Sequence, residues 1–364
     1  MSTAAAPAAA PDAVPSGADG APVFAVIPGA QVAGALHGRE RAIVDVVEQA
    51  YRMHGAGLTS NPPSYFLRFP DKPNSRIIAL PASVGGDVGV DGIKWVSSFP
   101  DNVAAGRPRA SAVLILNDHA TGYPFACLEA SIINAVRTSA SAALAADRLT
   151  AGRPRPRRVG FFGVGLIARY LHTYLAATGW EFDEVGVYDL NPESAVGFRG
   201  YLSAHDPATT VRIHPDAESL VRSSDLLVFA TIAGEPHVHD PAWFDHHPLV
   251  LHVSLRDLDP VIVLGATNVV DDVDHCLRAN TSLHLAEQQI GNRDFVDGTL
   301  DDVLTGRLTP PQNRTTVFSP FGLGILDLAV GKAVYDEIAR SGSLQEIDGF
   351  FHEMQRYGTG PERR

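Results

Sequence analysis

Cysteine is nearly missing from this chain: Cys127 and Cys276 are the only two among 364 residues. Two thiols set neither a metal-ligand spacing nor a disulfide framework, which leaves no metal site to name and fits a reducing cytoplasm. No run approaches eighteen uninterrupted apolar positions, so no segment is expected to cross a membrane. Positive charge is also scarce. Lys and Arg total 29 against 41 Asp and Glu, a formal net charge of -12, which argues against nucleic acid as a partner. The one basic cluster, "RPRPRR" at 153–158, is short and proline-broken and reads as a solvated connector before a strand. The first 21 residues are Ala/Pro-rich, with no basic n-region and no leucine-type apolar stretch. They read as a disordered tail, not a secretory signal.

What is present is ample apolar material, 45% of the chain, enough for one large domain or two ordinary ones. From Val159, "VGFFGVGLIARYLHTYLAATG" opens with a short apolar run and turns on glycines. Apolar residues then recur at Ile167, Leu171, Tyr174 and Leu175, so period two gives way to the helical period. "VGVYD" (185–189), "LLVFAT" (226–231) and "LVLHVSL" (249–255) read as buried strands, with a helical "DAESLVRSSD" ahead of the second. Strands alternating with helices imply an α/β, Rossmann-type, doubly wound parallel sheet.

Upstream the grammar differs. "SYFLRF", "RIIALPAS", "GIKWVSSF", "SAVLILND" and "YPFACLEA" are short strands separated by Pro, Gly, Asn and Asp, and "LNDHATGYP" reads as a hairpin loop. These imply a separate, mostly antiparallel α+β domain. A long Ala-rich helix over 129–150 links the two, and an amphipathic helix beginning at Gly322 can return beside it. The expected division is 22–140 plus 315–364 for the antiparallel domain and 141–314 for the Rossmann-type domain.

Gly163-Val164-Gly165-Leu166-Ile167-Ala168 fits G-x-G-x-x-A between a strand and a helix. Gly163 permits the tight turn, Gly165 lets backbone approach a pyrophosphate, and Ala168 lets the helix sit close to its strand. Asp189 ends the next strand, where an acid accepts from ribose hydroxyls and repels a 2′-phosphate. NAD is therefore the expected cofactor, in preference to NADP.

With hydride chemistry left to a nicotinamide, the protein must hold and polarise a substrate. Lys94 sits between Ile93 and Trp95 in a strand that reads as core. Arg68 lies between aromatics in "YFLRFP", and Arg137 lies in an otherwise small-and-apolar helix. A buried arginine there needs an anion to offset its desolvation. Arg109 begins a strand and can serve a substrate carboxylate or the cofactor's phosphates. Together they suggest a cationic pocket for a carboxylate-bearing substrate. Asp257 follows an apolar strand at its C-terminal end, where open α/β sheets place ligands. It can cap a helix, hold a substrate amine or activate a water.

The ordered motifs "GIKWVSSFPDN", "TGYPFACLEA", "NAVRTSASAA", "GVGLIA", "VSLRDL", "VVDD" and "GLGILDLAVGKAVYDEIA" resemble the ornithine cyclodeaminase/μ-crystallin family of NAD(P)-dependent enzymes, from about Val23 to Gly342. The resemblance implies that Lys94, Arg68 and Arg137 grip the substrate carboxylate and that Asp257 contacts the substrate amine. Arg76, close to Arg68, is the alternative holder. Thr138, Thr231, Ser254, Leu255 and Leu323 fall where the family touches the cofactor, and Arg137 and Asn191 are expected to touch it too. A homodimer joined through the antiparallel domains is also implied.

Within the family, "FLRFPDKPNSRIIALPA", "RPRASAVLILND" and "VSLRDL" are similar to a branch acting on N-(2-amino-2-carboxyethyl)-L-glutamate. That branch oxidises the glutamyl Cα–N bond with NAD and hydrolyses the imine to L-2,3-diaminopropionate and 2-oxoglutarate, for siderophore or peptide-antibiotic assembly. "LRDLDPVIV" lacks the lysine that cyclodeaminases carry there, and Arg109 stands where cyclising members have a small hydroxyl residue. Asp257 is then expected to accept the amine proton, directly or through water, and Lys94 or Asp257 to orient the water that attacks the imine. A cyclodeaminase or other amino-acid dehydrogenase of the family is the alternative, and a non-catalytic binder of reduced cofactor is the alternative of another class.

Overall fold

The computed structural model describes residues 22–352. The tail expected over 1–21 lies outside the described residues. The chain begins with β1 (Ala25–Ile27), α1 (Gly29–Leu36) and α2 (Glu40–Gly55). Six strands follow: β2 (Thr59–Ser60), β3 (Tyr65–Phe69), β4 (Lys72–Val84), β5 (Val90–Ser98), β6 (Ala110–Asp118) and β7 (Pro124–Glu129). Next come α3 (Ser131–Leu149), β8 (Arg158–Phe162), α4 (Leu166–Ala177), β9 (Glu184–Tyr188), α5 (Pro192–His205), β10 (Thr210–Ile213), α6 (Ala217–Ser223) and β11 (Leu226–Phe229). The run continues with β12 (Leu249–His252), α7 (Pro260–Gly265), β13 (Thr267–Val270), α8 (Val273–Cys276) and α9 (Ser282–Ile290). It ends with β14 (Val296–Thr299), α10 (Leu300–Leu304), β15 (Thr316–Ser319) and α11 (Gly324–Arg340).

These elements form two compact units. One holds the described residues up to His37, Gly57–Ile133 and those from Asp327 on; the other holds Gly38–Ala56 and Asn134–Leu326. The division expected from the sequence, 22–140 with 315–364 against 141–314, is corrected at three places. Helix α2 joins the second unit because it packs on α10 and α4, and its Glu48 holds Arg148 of α3 at 2.8 Å. The stretch 134–140 is the body of α3, and β15 pairs between β12 and β13.

In the first unit seven strands run in the order β1-β7-β6-β5-β4-β2, with β3 also on β4. All pairs are antiparallel except β1 with β7. Alternation sets two faces: Ala112, Leu114 and Leu116 of β6 are buried, while Ser111 and Val113, each one position ahead of a buried residue, are exposed. Lys94 of β5 lies in register with Leu114 and Leu80, and so belongs to the buried face. Helix α11 covers that face from Asp327 onward, its Gly331 giving room to the Leu114 side chain. The β6–β7 hairpin forms as expected, with Asp118 accepting from the Thr121 and Gly122 amides at 2.8 Å each.

The second unit is an eight-stranded, wholly parallel sheet in the order β10-β9-β8-β11-β12-β15-β13-β14. Strands β11 and β12 are buried at every residue, as a sheet covered on both sides requires. The chain leaves β8 toward β9 on one side and later resumes at β11 on the other, so a crevice opens at the carboxyl ends of these strands. The strand expected over 249–255 stops at His252. Leu255 has φ 71°, a left-handed conformation that cannot continue a strand. The doubly wound α/β unit and the antiparallel α+β unit are both as the patterning implies. No helix among the described residues is long and apolar enough to cross a membrane.

Candidate active site

The lysine buried in β5 has an acid beside it. Lys94 Nζ donates to Asp327 Oδ2 of α11 at 2.6 Å, with 1% and 0% of the two residues exposed. An ammonium in a core is tolerable only when paired, and Asp327 supplies the pairing. Its sequence signal is the one that marks Arg137, a single charge in an apolar helical stretch ("GILDLAVG").

On the same face of the first sheet, Arg68 of β3 lies directly opposite Arg76 of β4, and Arg76 opposite Ser98 of β5. Arg109, just ahead of β6, donates to Ser98 Oγ at 2.7 Å. Three guanidinium groups thus occupy neighbouring positions, and among the described residues none forms an ion pair with a carboxylate. Burial, and then the Arg68 charge, pushes the pKa of Arg76 below its ordinary value; burial, and then Arg76, does the same to Arg109. Like charges facing across a ladder repel, so the row is an arrangement that an anion would relieve. Arg68 and Arg76 both belong to it.

In the second unit the glycine turn has the geometry a dinucleotide needs. Gly163 has φ 73°, and a Cβ there would lie 2.9 Å from the Ala230 carbonyl. Gly165 is the reverse case: nothing stands within 4 Å of where its Cβ would be. It begins α4 with no side chain capping the free amides, so an approaching pyrophosphate meets open space and unsatisfied donors. Asp189, just past β9, accepts from Val164 N at 2.9 Å and from Asn191 N at 2.8 Å, which ties the acid to the turn. Asn191 itself caps α5 by accepting from Glu193 N at 3.0 Å. Thr138 donates back to Asn134 O within α3 at 2.7 Å. Leu255 and Leu323 are buried, so their side chains pack inside the unit. These residues fit a dinucleotide at the turn; they show no metal-holding group of His, Cys, Asp or Glu among the described residues.

Arg137 is buried and donates to Asn134 Oδ1 at 2.8 Å. Its guanidinium lies so near the backbone of Gly322 that a Cβ there would be 2.4 Å from Nη1. That loop is held by Asp271 of "VVDD", which accepts from Phe321 N at 2.9 Å and Gly322 N at 2.7 Å. Burial pushes the Asp271 carboxyl above its ordinary range.

Asp257, 0% exposed, is bonded through both carboxylate oxygens. Thr231 and Ser254 hydroxyls donate to its two oxygens. His237 Nε2 lies 3.0 Å from Oδ1 and His252 Nε2 lies 3.1 Å from Oδ2. Burial alone would raise this carboxyl, but the His237, His252 and Ser254 hydrogen bonds outweigh it and hold Asp257 well below the carboxylate range. With Asp257 ionised, His252 donates from Nε2 and its Nδ1 faces Ser319 Oγ at 3.3 Å. The Asp257 amide, 3.2 Å from the same Nε2, bonds it only in the other tautomer. His237 and His252 carried no mark in the sequence that separated them from twelve other histidines.

Removing one partner of the buried pair, as in Asp327→Ala, is expected to cost about 3–5 kcal/mol in urea unfolding. The double variant Lys94→Met, Asp327→Leu should recover most of it; no recovery would mean that the pair does not act as a unit. Because the folded carboxyl of Asp257 is depressed, its contribution to stability is present above the unfolded carboxyl range, about pH 4. It is lost as pH falls toward the folded value. Thermal melts from pH 6 to 3 should therefore show a smaller drop in Tm for Asp257→Asn than for the parent. An equal drop would assign the acid sensitivity elsewhere.

Comparison with known proteins places these features in a family. Residues 30–342 match the ornithine cyclodeaminase/mu-crystallin family. Alanine dehydrogenase of Archaeoglobus fulgidus is 30% identical over 80% of this chain and 89% of its own. N-((2S)-2-amino-2-carboxyethyl)-L-glutamate dehydrogenase of Staphylococcus aureus is 27% identical over 84% of this chain and 92% of its own. Among solved structures, an archaeal alanine dehydrogenase dimer with bound NAD superposes with a TM-score of 0.79 at 27% identity, covering 90% of this chain and 100% of that one. With the glycine turn, the carboxylate at the strand ends and the two-unit architecture all in place, the chain belongs to the ornithine cyclodeaminase/mu-crystallin family.

Proposed function

We propose that the chain is an NAD-dependent oxidoreductase that cleaves N-((2S)-2-amino-2-carboxyethyl)-L-glutamate, with water, to L-2,3-diaminopropionate and 2-oxoglutarate. The observation that carries this reading is the row of Arg68, Arg76 and Arg109 without carboxylate partners. A substrate with three carboxylates relieves the repulsion, since guanidinium forks take carboxylates bidentately. Alanine has one carboxylate and leaves most of the row uncompensated. Ornithine brings a second ammonium to a cationic surface. Likeness to the staphylococcal enzyme supports the same substrate, and likeness to the archaeal enzyme supports the wider class of NAD-dependent amino-acid oxidation.

Bound NAD supplies the two-electron acceptor for the Cα–H bond beside the secondary amine. The chain's own part is positioning and proton handling. Arg68, Arg76 and Arg109 take the substrate's carboxylates. Lys94, enclosed and held by Asp327, adds positive charge on the same face of the sheet. Arg137 is assigned to the same anion class. Fixing the C–H bond in this way accounts for much of the rate. The Asp257 cluster handles the protons on the amine nitrogen and on the water that cleaves the imine.

The exposed face of the first sheet carries Tyr65, Leu67, Trp95 and Val113, three of them in one cross-strand row. Such an apolar patch suits burial against a second copy of the chain, and the archaeal relative is a dimer.

Two measurements bear on these readings. Incubation with NAD and the amino-carboxyethyl glutamate should raise absorbance at the NADH band and release both products by mass spectrometry. Arg109→Ala should lower kcat/KM by about 30-fold or more, the scale of a lost desolvated charge partner. NADH formed from alanine but not from this substrate would overturn the assignment. Light scattering should give a dimer that Trp95→Glu converts to monomer; a monomeric parent at micromolar concentration would remove the interface.

A further inference from the structure

We infer that His237 is the group that exchanges protons with the substrate, and that Asp257 is the anion orienting it. The inference rests on the reading of an amine oxidised and hydrolysed at this site, and it changes which atom does the proton work. Four groups occupy both oxygens of Asp257: Thr231, Ser254, His237 and His252. A carboxylate has about four lone-pair sites, so none is left for a substrate nitrogen. The carboxylate is also wholly enclosed. His252 is no outlet either, being buried with its second nitrogen against Ser319.

His237 is the only one of the four donors that combines a titrating ring with exposure. Its side chain is 36% exposed, and Nδ1 makes no hydrogen bond among the described residues. The backbone holds it in place, because His237 N and Val238 N both donate to the Asp257 carbonyl at 3.0 Å. With Asp257 ionised, Nε2 carries the proton that bonds it, and Nδ1 is left with its lone pair facing outward. A buried carboxylate fixing one tautomer so that the opposite nitrogen is a base is the logic of a catalytic triad. The ring lies at the carboxyl end of β8, its centroid 6.4 Å from that of Phe162.

Four segments face or flank His237. Asp257 faces it from the loop after β12, with Ser254 and His252 behind; Thr231 comes from the end of β11, and β8 contributes the uncharged Phe162 ring. Along its own segment Glu235 and His239 flank it, and His239 is engaged by Asp259 at 3.1 Å. In the reaction, Nδ1 takes the proton from the substrate ammonium, so that the Cα–N bond can become an iminium as the hydride leaves. After that proton is shed to solvent, Nδ1 takes one from the attacking water as the C–O bond forms. It returns this proton to nitrogen, and the C–N bond breaks as the carbinolamine hydroxyl gives its own proton to the freed Nδ1. One water is consumed, and one keto acid and one primary amine are released.

The test uses the full chain loaded with NAD. His237→Gln keeps a donor toward Asp257 but cannot titrate. Its NAD affinity and melting temperature should match the parent, while kcat falls about 100-fold or more and the acid limb of the kcat/KM profile disappears. In His237→Gly, added imidazole should restore part of the rate. Parent-like kcat with the acid limb intact would overturn the inference. A readout independent of substrate is the nitrogen NMR of the His237 ring in the NAD complex. The neutral ring should carry its proton on Nε2, and Asp257→Asn should abolish that preference; a proton on Nδ1 in the parent would overturn the inference even where every substrate is turned over. Absence of products from the amino-carboxyethyl glutamate, with His237 in the expected tautomer, would instead count against the substrate assignment alone.

Discussion

Asp257 is an anion with no access to water, and much of the second unit's crevice follows from that constraint. An ion of this kind costs several kcal/mol to bury unless hydrogen bonds replace its hydration. The replacement comes from three chain segments: Thr231 past β11, His252 and Ser254 at and past β12, and His237 from the loop between these strands. Each donor has to be in place for the others to be worth making, because a half-satisfied network in a low-dielectric interior is worse than none. The left-handed turn at Leu255 belongs to the same arrangement, since it turns the chain three residues after β12 ends, two residues ahead of Asp257. The first unit meets the same constraint by placing Asp327 against Lys94.

The parts of this architecture that were legible in the sequence are those set by local pattern. The glycine turn, its strand and its helix lie within a dozen residues of one another, and period two changes to period 3.6 in plain view. The hairpin at Asp118 is similarly local. Lys94, Arg137 and Asp257 could be singled out because a charge within an apolar run needs a reason wherever it is found. The family resemblance then supplied roles that no spacing could.

What stayed illegible is set by the fold in space. Helix α2 reads as part of the first unit by position, yet it packs on α10 and α4. The insertion of β15 between β12 and β13 leaves no trace in periodicity. That the amide oxygen of Asn191 also caps α5 is a use that the "NPE" that it begins would have allowed. Arg68 and Arg76 were treated as alternatives because spacing alone separates them; the ladder register makes them neighbours. His237 lies in "GEPHVHD", a loop with no face and no period, and only its distance to Asp257 marks it.

The Lys94–Asp327 pair carries a consequence for how the chain is made. The two residues are 233 positions apart, and ribosomes add residues in order, at about 5–20 per second. For on the order of ten seconds or more, then, the nascent β5 has its lysine without Asp327 to meet it. Any sheet assembled in that interval must leave this face wet or bury a lone cation. Docking of the last long helix is therefore what completes the first unit, and a chain stopped before residue 327 should be a customer for chaperones.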